Sequence, residues 1–338
     1  MKFYLAPMEG ITGYIFRNAV NAGFGQGIDT YFTPFIEPHL QKKNLKHREL
    51  QDILPENNAG IRLVPQILTN SAEAFLYLEE ELLPYGYREL NLNLGCPSPT
   101  VTAKGRGAGL LQHPDELDRM LDGIFSKTRC AVSVKTRIGF SDPAEWPALL
   151  DIFSSYPLKE LIIHVRVRNE FYSGTPHHDA FIYALKNCPH PLCYNGDITD
   201  TAGYLELMRN FEENADGRLP DAVMIGRGIL TDPTLIRRLS ALTAAEPECR
   251  DGDISLRSSG ISREPNARLT KEEIRLFTDT LFDGYCKVLS GETPVLHKMK
   301  EFWTWLIRNF PDHEKLLKNI VKAKNFHEYR AAVDTILK

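Results

Sequence analysis

A chain of 338 residues, 43% of them hydrophobic, is long enough to bury one large core and to carry a second, smaller domain. No stretch approaches the roughly 18 apolar residues of a membrane span, the opening runs straight into Glu9 so that no signal peptide is expected, and the cysteines at 96, 130, 188, 193, 249 and 286 show neither a C-x-x-C pair nor a Cys/His cluster at metal-ligand spacing. A cytoplasmic protein with no structural zinc or iron–sulfur centre is the expectation, while the net charge of −4 leaves nucleic-acid binding open, because that depends on a local basic face.

In chain order, one kind of unit repeats. Phe3 to Met8 reads as a strand, Tyr14 to Ala22 as a helix, Tyr31 to Phe35 as a strand, and Arg62 to Leu68 as a strand interrupted by Pro65. Asn70, with Glu73 at the third position after it, predicts a capped helix reaching about Leu83. Glu89 to Leu94 alternates apolar side chains and is a buried strand that stops abruptly at Gly95-Cys96-Pro97. A helix begins at Pro114 and runs to Phe125, followed by the strand Ala131 to Arg137 and a helix from Trp146 to Phe153. Glu160 to His164, a helix from about His177 to Lys186, Leu192 to Asn195, a helix from Thr199 to Phe211, and Ala222 to Ile225 complete the series. Strands separated by helices over somewhat more than 230 residues predict an α/β fold, a closed parallel (β/α)8 TIM barrel in residues 1–240.

The polar residues repeat as well. Gln66, Asn93, Lys135, His164, Asn195 and Arg227 each stand at or just beyond the downstream end of a strand candidate, and in a barrel those ends face one site. Asn195-Gly196-Asp197 and Gly226-Arg227-Gly228 each open a loop before a helix, a geometry that presents backbone N–H groups to a phosphate. Cys96 has two open readings, a small buried apolar residue or a directed thiol. The glycines at 105, 107 and 109, with Lys104 before them and Arg106 among them, read as a nearly bare loop suited to an anion.

From Ser240 to Leu269 no periodic apolar face remains, so 241–269 is expected to be an exposed connection. Thr270 with Glu273 caps the first of several helices, over 271–289, 294–309, 312–321 and 325–337, which form a small all-helical domain at 270–338. That domain has 12 Lys and Arg against 10 Asp and Glu. Its lysines are either ordinary solvent-facing residues or a nucleic-acid surface, and Trp303 and Trp305 either pack the bundle or lie beside a target.

Taken together, Leu5-Ala-Pro-Met-Glu-Gly-Ile-Thr12, Pro65-Gln66, Asn93-Leu-Gly-Cys96-Pro97, Val134-Lys135-Thr-Arg137, His164-Val-Arg166, Tyr172-Ser-Gly174, Asn195-Gly-Asp-Ile198 and Met224-Ile-Gly-Arg-Gly228 resemble the flavin-dependent tRNA-dihydrouridine synthases over almost the whole chain. The resemblance implies FMN at the barrel mouth, NADPH as its reductant, and reduction of the C5–C6 double bond of specific uridines in tRNA, by a protein expected to be monomeric and not membrane-bound. Pro7 and Met8 would lie against the flavin ring, Gln66, Lys135 and His164 at its polar atoms, and Asn195, Gly196, Asp197, Gly226 and Arg227 at its phosphate end. Cys96 would be the general acid, with Asn93, Lys104 and Arg166 around the uridine, and the domain at 270–338 would bind tRNA. Glu9 and Val165 depart from the family's more usual aspartate and glycine. The alternative is a related FMN-dependent TIM-barrel oxidoreductase acting on a free pyrimidine, which would not need residues 270–338.

Overall fold

The computed structural model describes residues 1–38, 45–244 and 269–338. Its strands are β1 (Lys2–Leu5), β2 (Thr30–Phe32), β3 (Leu63–Val64), β4 (Gln66–Ile67), β5 (Glu89–Leu94), β6 (Ala131–Arg137), β7 (Leu161–His164), β8 (Leu192–Asn195) and β9 (Ala222–Ile225). They form one all-parallel sheet in the order β3-β2-β1-β9-β8-β7-β6-β5-β4. The two ends of that order, β3 and β4, are separated along the chain only by Pro65, so they are one strand split by a residue with no N–H, and the sheet closes there as a barrel. The Pro65 carbonyl still accepts from Asn91 N–H at 2.9 Å, and Gln66 N–H turns to the Thr33 hydroxyl at 2.9 Å. The expected (β/α)8 barrel followed by helices is the observed architecture.

Strands buried on both faces explain runs such as Leu161-Ile-Ile-His164, buried at every position. Inside the barrel the two-residue period of a strand stacks side chains in layers. A lower layer is apolar, with Tyr4, Phe32, Val64, Ile162, Cys193 and Met224 in one buried cluster. Two residues further along the same strands stand Gln66 after Val64, His164 after Ile162 and Asn195 after Cys193, so the next layer is polar. Beside the lower layer the Tyr4 hydroxyl donates to Glu160 at 2.9 Å, and burial raises the Glu160 carboxyl to about 7.

By contact density the chain divides into a barrel unit (Met1–Tyr14, Asp29–Asp197 and Leu205–Ile225) and a helical unit (Ile15–Ile28, Ile198–Tyr204 and Gly226–Lys338). The helical unit therefore draws on segments that lie between barrel strands in sequence. In it, Phe16 of the helix Tyr14–Phe24 stacks on Phe302 at 5.4 Å, and both Phe16 and Phe24 meet the edge of Phe277, at 5.9 and 5.7 Å. Trp303 is fully buried and its indole N–H donates to the Tyr329 hydroxyl at 2.9 Å, so it packs the bundle, whereas Trp305 is half-buried beneath Arg308 at 4.5 Å.

Several boundaries differ from those read in the sequence. β1 stops at Leu5 rather than Met8, ahead of Pro7, and β2 at Phe32 rather than Phe35. The helix Ala72–Leu82 is capped by Ser71, whose hydroxyl accepts from Ala74 N–H at 3.2 Å, while the Asn70 amide reaches away to the Lys104 carbonyl at 3.1 Å. The helix Leu235–Ala244 extends four residues into the stretch read as a connection, and most of the remainder of 241–269 lies outside the described residues. Thr270 and Glu273 do form the reciprocal capping box of the helix Lys271–Val288.

Candidate active site

The polar side chains toward the downstream ends of the strands form two hydrogen-bonded sets. Gln66 donates through Nε2 to Asn91 Oδ1 at 2.8 Å and accepts at Oε1 from Asn93 Nδ2 at 2.7 Å, and Asn91 Nδ2 donates to Ser133 Oγ at 2.9 Å. Gln66, Asn91, Asn93 and Ser133 are all buried, so these bonds answer groups that would otherwise be costly to desolvate. Asn93 does a second job: its Oδ1 accepts the N–H groups of both Gly95 and Cys96, each at 3.0 Å, which folds the chain back at the end of β5 and sets the corner that carries the thiol. Asn91 and Ser133 have no part in the sequence reading, although each sits two residues before a residue that does.

Cys96 is half-buried. Burial pushes its thiol pKa up, against the nearby Ser98 N–H and the charges of Arg137 and Lys135, with Glu9 acting the other way. It is thus a protonated thiol at neutral pH, suited to giving a proton and not to attacking as a thiolate. The glycines after it are not a bare anion loop. Residues Gly107–Gln112 form a buried 3-10 turn; at Gly107 (φ +55°) an added Cβ would come within 2.9 Å of the Cys96 carbonyl oxygen, and at Gly109 within 2.7 Å of the Thr102 carbonyl. Gly107 thus allows close packing against the thiol corner, and Gly109 against the Thr102 backbone. Lys104 is exposed at the edge of this turn.

Lys135, half-buried, donates through Nζ to Asn195 Oδ1 at 2.9 Å, and the Asn195 amide donates to the Met224 carbonyl at 2.9 Å. Burial, then the Arg137 guanidinium, lowers the Lys135 ammonium to about 8. At pH 7 it still carries its proton. His164 is buried, its ring 6.0 Å from that of Tyr172, which is 55% exposed. Val165 is fully buried. Pro7 and Met8 are half-buried in a turn closed by Thr12, whose hydroxyl accepts from Met8 N–H at 2.8 Å.

Arg166, 1% exposed, is committed largely to the protein: Nε donates to the Ser173 carbonyl at 2.9 Å, and Nη2 to the Gly174 carbonyl at 2.7 Å and to Asp197 at 2.5 Å. The Asp197 carboxylate is thereby held by an arginine, and the remaining Arg166 nitrogen, Nη1, is buried with no hydrogen-bond partner among the described residues. At Gly196 an added Cβ would lie 2.1 Å from the Tyr194 hydroxyl, so no side chain fits there. The barrel unit thus joins Asn93 to Gln66 and Lys135 to Asn195 by direct hydrogen bonds. Gly226 and Arg227 belong to the helical unit, where Gly226 precedes the short helix Arg227–Thr231.

Curated proteins are similar to this chain over nearly its whole length. The probable tRNA-dihydrouridine synthase of Staphylococcus aureus (strain Mu50 / ATCC 700699) is 28% identical over 341 residues, covering 98% of this chain and 92% of that protein. The probable tRNA-dihydrouridine synthase 2 of Bacillus subtilis (strain 168) is 28% identical over 337 residues, covering 98% and 93%. Among solved structures, a variant of NCR from Zymomonas mobilis matches 71% of this chain and 86% of that one at 12% identity and a TM-score of 0.45, too low to bear on chemistry. The dihydrouridine synthase (Dus) family model matches residues 4–334, nearly end to end, and the chain belongs to that family.

Proposed function

We propose that this protein is an FMN-dependent tRNA-dihydrouridine synthase that uses NADPH to reduce the C5–C6 double bond of specific uridines in tRNA, with Cys96 as the general acid. The observation that carries the proposal is the polar layer of the barrel, in which Asn93 aims the Cys96 corner and Lys135 stands on Asn195. The family membership and the names of the relatives supply the substrate class.

The residues present suit FMN. A protonated ammonium at Lys135, an amide at Gln66 and an imidazole at His164 match the polar edge of an isoalloxazine ring, with Pro7 and Met8 offering apolar contact. An orphaned buried guanidinium nitrogen on Arg166, with no partner among the described residues, favours an anionic group near the end of β8. Asn195, Gly196 and the Asp197 backbone are assigned to its phosphate, and Gly226 and Arg227 to the same group on sequence grounds. When bound, the flavin supplies the hydride.

The chain's own residues supply the rest. Lys135 holds positive charge where reduction adds electrons to the ring. Cys96, kept protonated by burial, gives its proton to uridine C5, where charge develops once C6 has accepted hydride. Asn93, Lys104 and Arg166 are assigned to the surroundings of the uridine, Arg166 through the loop it holds. The base must leave its stack to enter the mouth. Residues 1–240 are assigned the catalysis and 270–338 the grip on tRNA, to which Lys315, Lys318 and Lys322, exposed along the helix His313–Lys322 at helical spacing, contribute phosphate contacts. A cytoplasmic monomer is the expected state.

The test is spectroscopic. The purified protein is expected to carry one FMN, to be bleached by NADPH, and to be reoxidised by tRNA from a strain lacking dihydrouridine but not by free uridine or uracil. Lys135→Ala is expected to retain less flavin and to shift its midpoint potential. Reoxidation by free pyrimidine and not by tRNA would replace this reading with the free-pyrimidine one, and a protein that never binds flavin would end both.

A further inference from the structure

Arg137 ends β6 two residues after Lys135 and is 1% exposed. Each of its guanidinium nitrogens takes a backbone carbonyl: Nε donates to Gly95 O at 2.9 Å, Nη1 to Val167 O at 2.9 Å and Nη2 to Phe171 O at 2.7 Å. Its carbon lies 5.4 Å from the centre of the Tyr172 ring. The acceptors come from two loops far apart in sequence, the one after β5 that carries Cys96 and the one after β7 that carries Tyr172. Gly95 is the residue just before the thiol. Its N–H is already fixed by Asn93, so Arg137 fixes the same peptide segment from its carbonyl side.

The second loop needs such a partner. Phe171 is a non-glycine residue at φ 51°, ψ −100°, a backbone conformation that persists only where the surroundings hold it. A planar fork with fixed N–H directions suits three carbonyls in a way that an ammonium does not. Arg168 adds a parallel tie, donating to Thr102 Oγ1 at 3.0 Å while its guanidinium lies 4.9 Å from the Phe171 ring and 5.2 Å from that of Phe140.

We propose that Arg137 is a positioning residue that locks the Cys96 corner to the Tyr172 loop, so that proton donor and mouth aromatic are held as one rigid edge of the site. It acts through Gly95 and Phe171 and touches no substrate. The proposal rests on the reading of Cys96 as the proton donor, and the experiment separates the two.

In the FMN-bound full-length protein, Arg137→Met removes the fork and the charge, and Arg137→Lys keeps the charge but not the fork. Three readouts are compared with wild type: the pH midpoint of Cys96 alkylation by iodoacetamide, followed on its own peptide by mass spectrometry; protease cleavage after Phe171 or Tyr172; and stopped-flow reoxidation by tRNA. The groups acting on the thiol are Arg137, Lys135, the Ser98 N–H and Glu9. Removing the guanidinium charge that acts on the thiol should move the alkylation midpoint upward in Arg137→Met and leave it near wild type in Arg137→Lys. Both variants should be cleaved at least fivefold faster in the loop and reoxidise roughly 10–100-fold more slowly, with reduction by NADPH unchanged. Loop cleavage and reoxidation within twofold of wild type in Arg137→Lys would overturn the clamp, and that variant decides the matter if Arg137→Met does not fold. If Cys96→Ala instead reoxidises normally, the proton-donor reading fails, while cleavage and alkylation still report on the clamp.

Discussion

Two layers of the same barrel interior, two residues apart on the same strands, have opposite characters. Below, Val64, Ile162 and Cys193 belong to a closed apolar cluster. Above them, Gln66, His164 and Asn195 form part of a polar layer with its own hydrogen bonds, while Arg166 Nη1 on the neighbouring loop has no partner among the described residues. The strand period is identical, so the backbone does not distinguish the layers; only side-chain choice does. A parallel barrel can therefore stabilise itself with one ring of residues and do chemistry with the next, and changes in the two rings should have separable effects.

That separation can be broken by experiment. The largest expected effect is Cys96→Ala at the polar end: reoxidation by tRNA should fall roughly 10²–10⁴-fold, as for loss of a positioned general acid, with NADPH reduction and denaturant midpoint close to wild type. Stopped-flow flavin absorbance beside a urea titration measures both sides. In the apolar layer Phe32→Ala should do the reverse, lowering stability by about 3–5 kcal/mol while the folded fraction still reduces and reoxidises normally, since Phe32 is 1% exposed and packs on Tyr4 at 5.8 Å. Equal loss of both properties in either variant would show the layers to be coupled.

A smaller effect tests the buried carboxyl beside the lower layer. Burial raises the Glu160 carboxyl from 4.5 to about 7. Between those values the folded protein keeps a proton that the unfolded chain has released, so wild-type stability falls as pH rises through that window. Glu160→Gln does not titrate and can still accept from Tyr4. Its advantage should open above about pH 4.5 and level off near 7, at roughly 1–3 kcal/mol. Urea midpoints at pH 4.5, 6 and 8 give the sign directly; a variant less stable than wild type at pH 8 would mean that Glu160 is needed as an anion.

Much of this was legible in the sequence where a local rule decides. β5, β6, β8 and β9 have the predicted bounds, and Pro114 and the Thr270–Glu273 box start their helices as read, because period, missing N–H groups and caps act within a few residues. Where neighbours competed, the sequence was mute. Asn70 and Ser71 are both good caps, and a tertiary acceptor, the Lys104 carbonyl, claimed Asn70. Glycines at 107 and 109 signalled a close approach but not what approached, which is the Cys96 carbonyl at the first and the Thr102 backbone at the second. Arg137 was read as the end of a strand and as part of a family-like stretch, with no role of its own, since three carbonyls from distant loops leave no mark in spacing. For the same reason the helix Tyr14–Phe24 gave no hint that its aromatic partners lie near the other end of the chain.

That last arrangement has a consequence for synthesis. Phe16 and Phe24 leave the ribosome about 250 residues ahead of Phe277, and at roughly 5–20 residues per second the interval is on the order of 13–50 s. Barrel strands can begin to pair during that time, but this helix face has no native ring to meet. The nascent chain must carry an aromatic surface in waiting, and slowing or arresting translation before Phe277 would prolong the period in which a chaperone, or another nascent chain, finds it first.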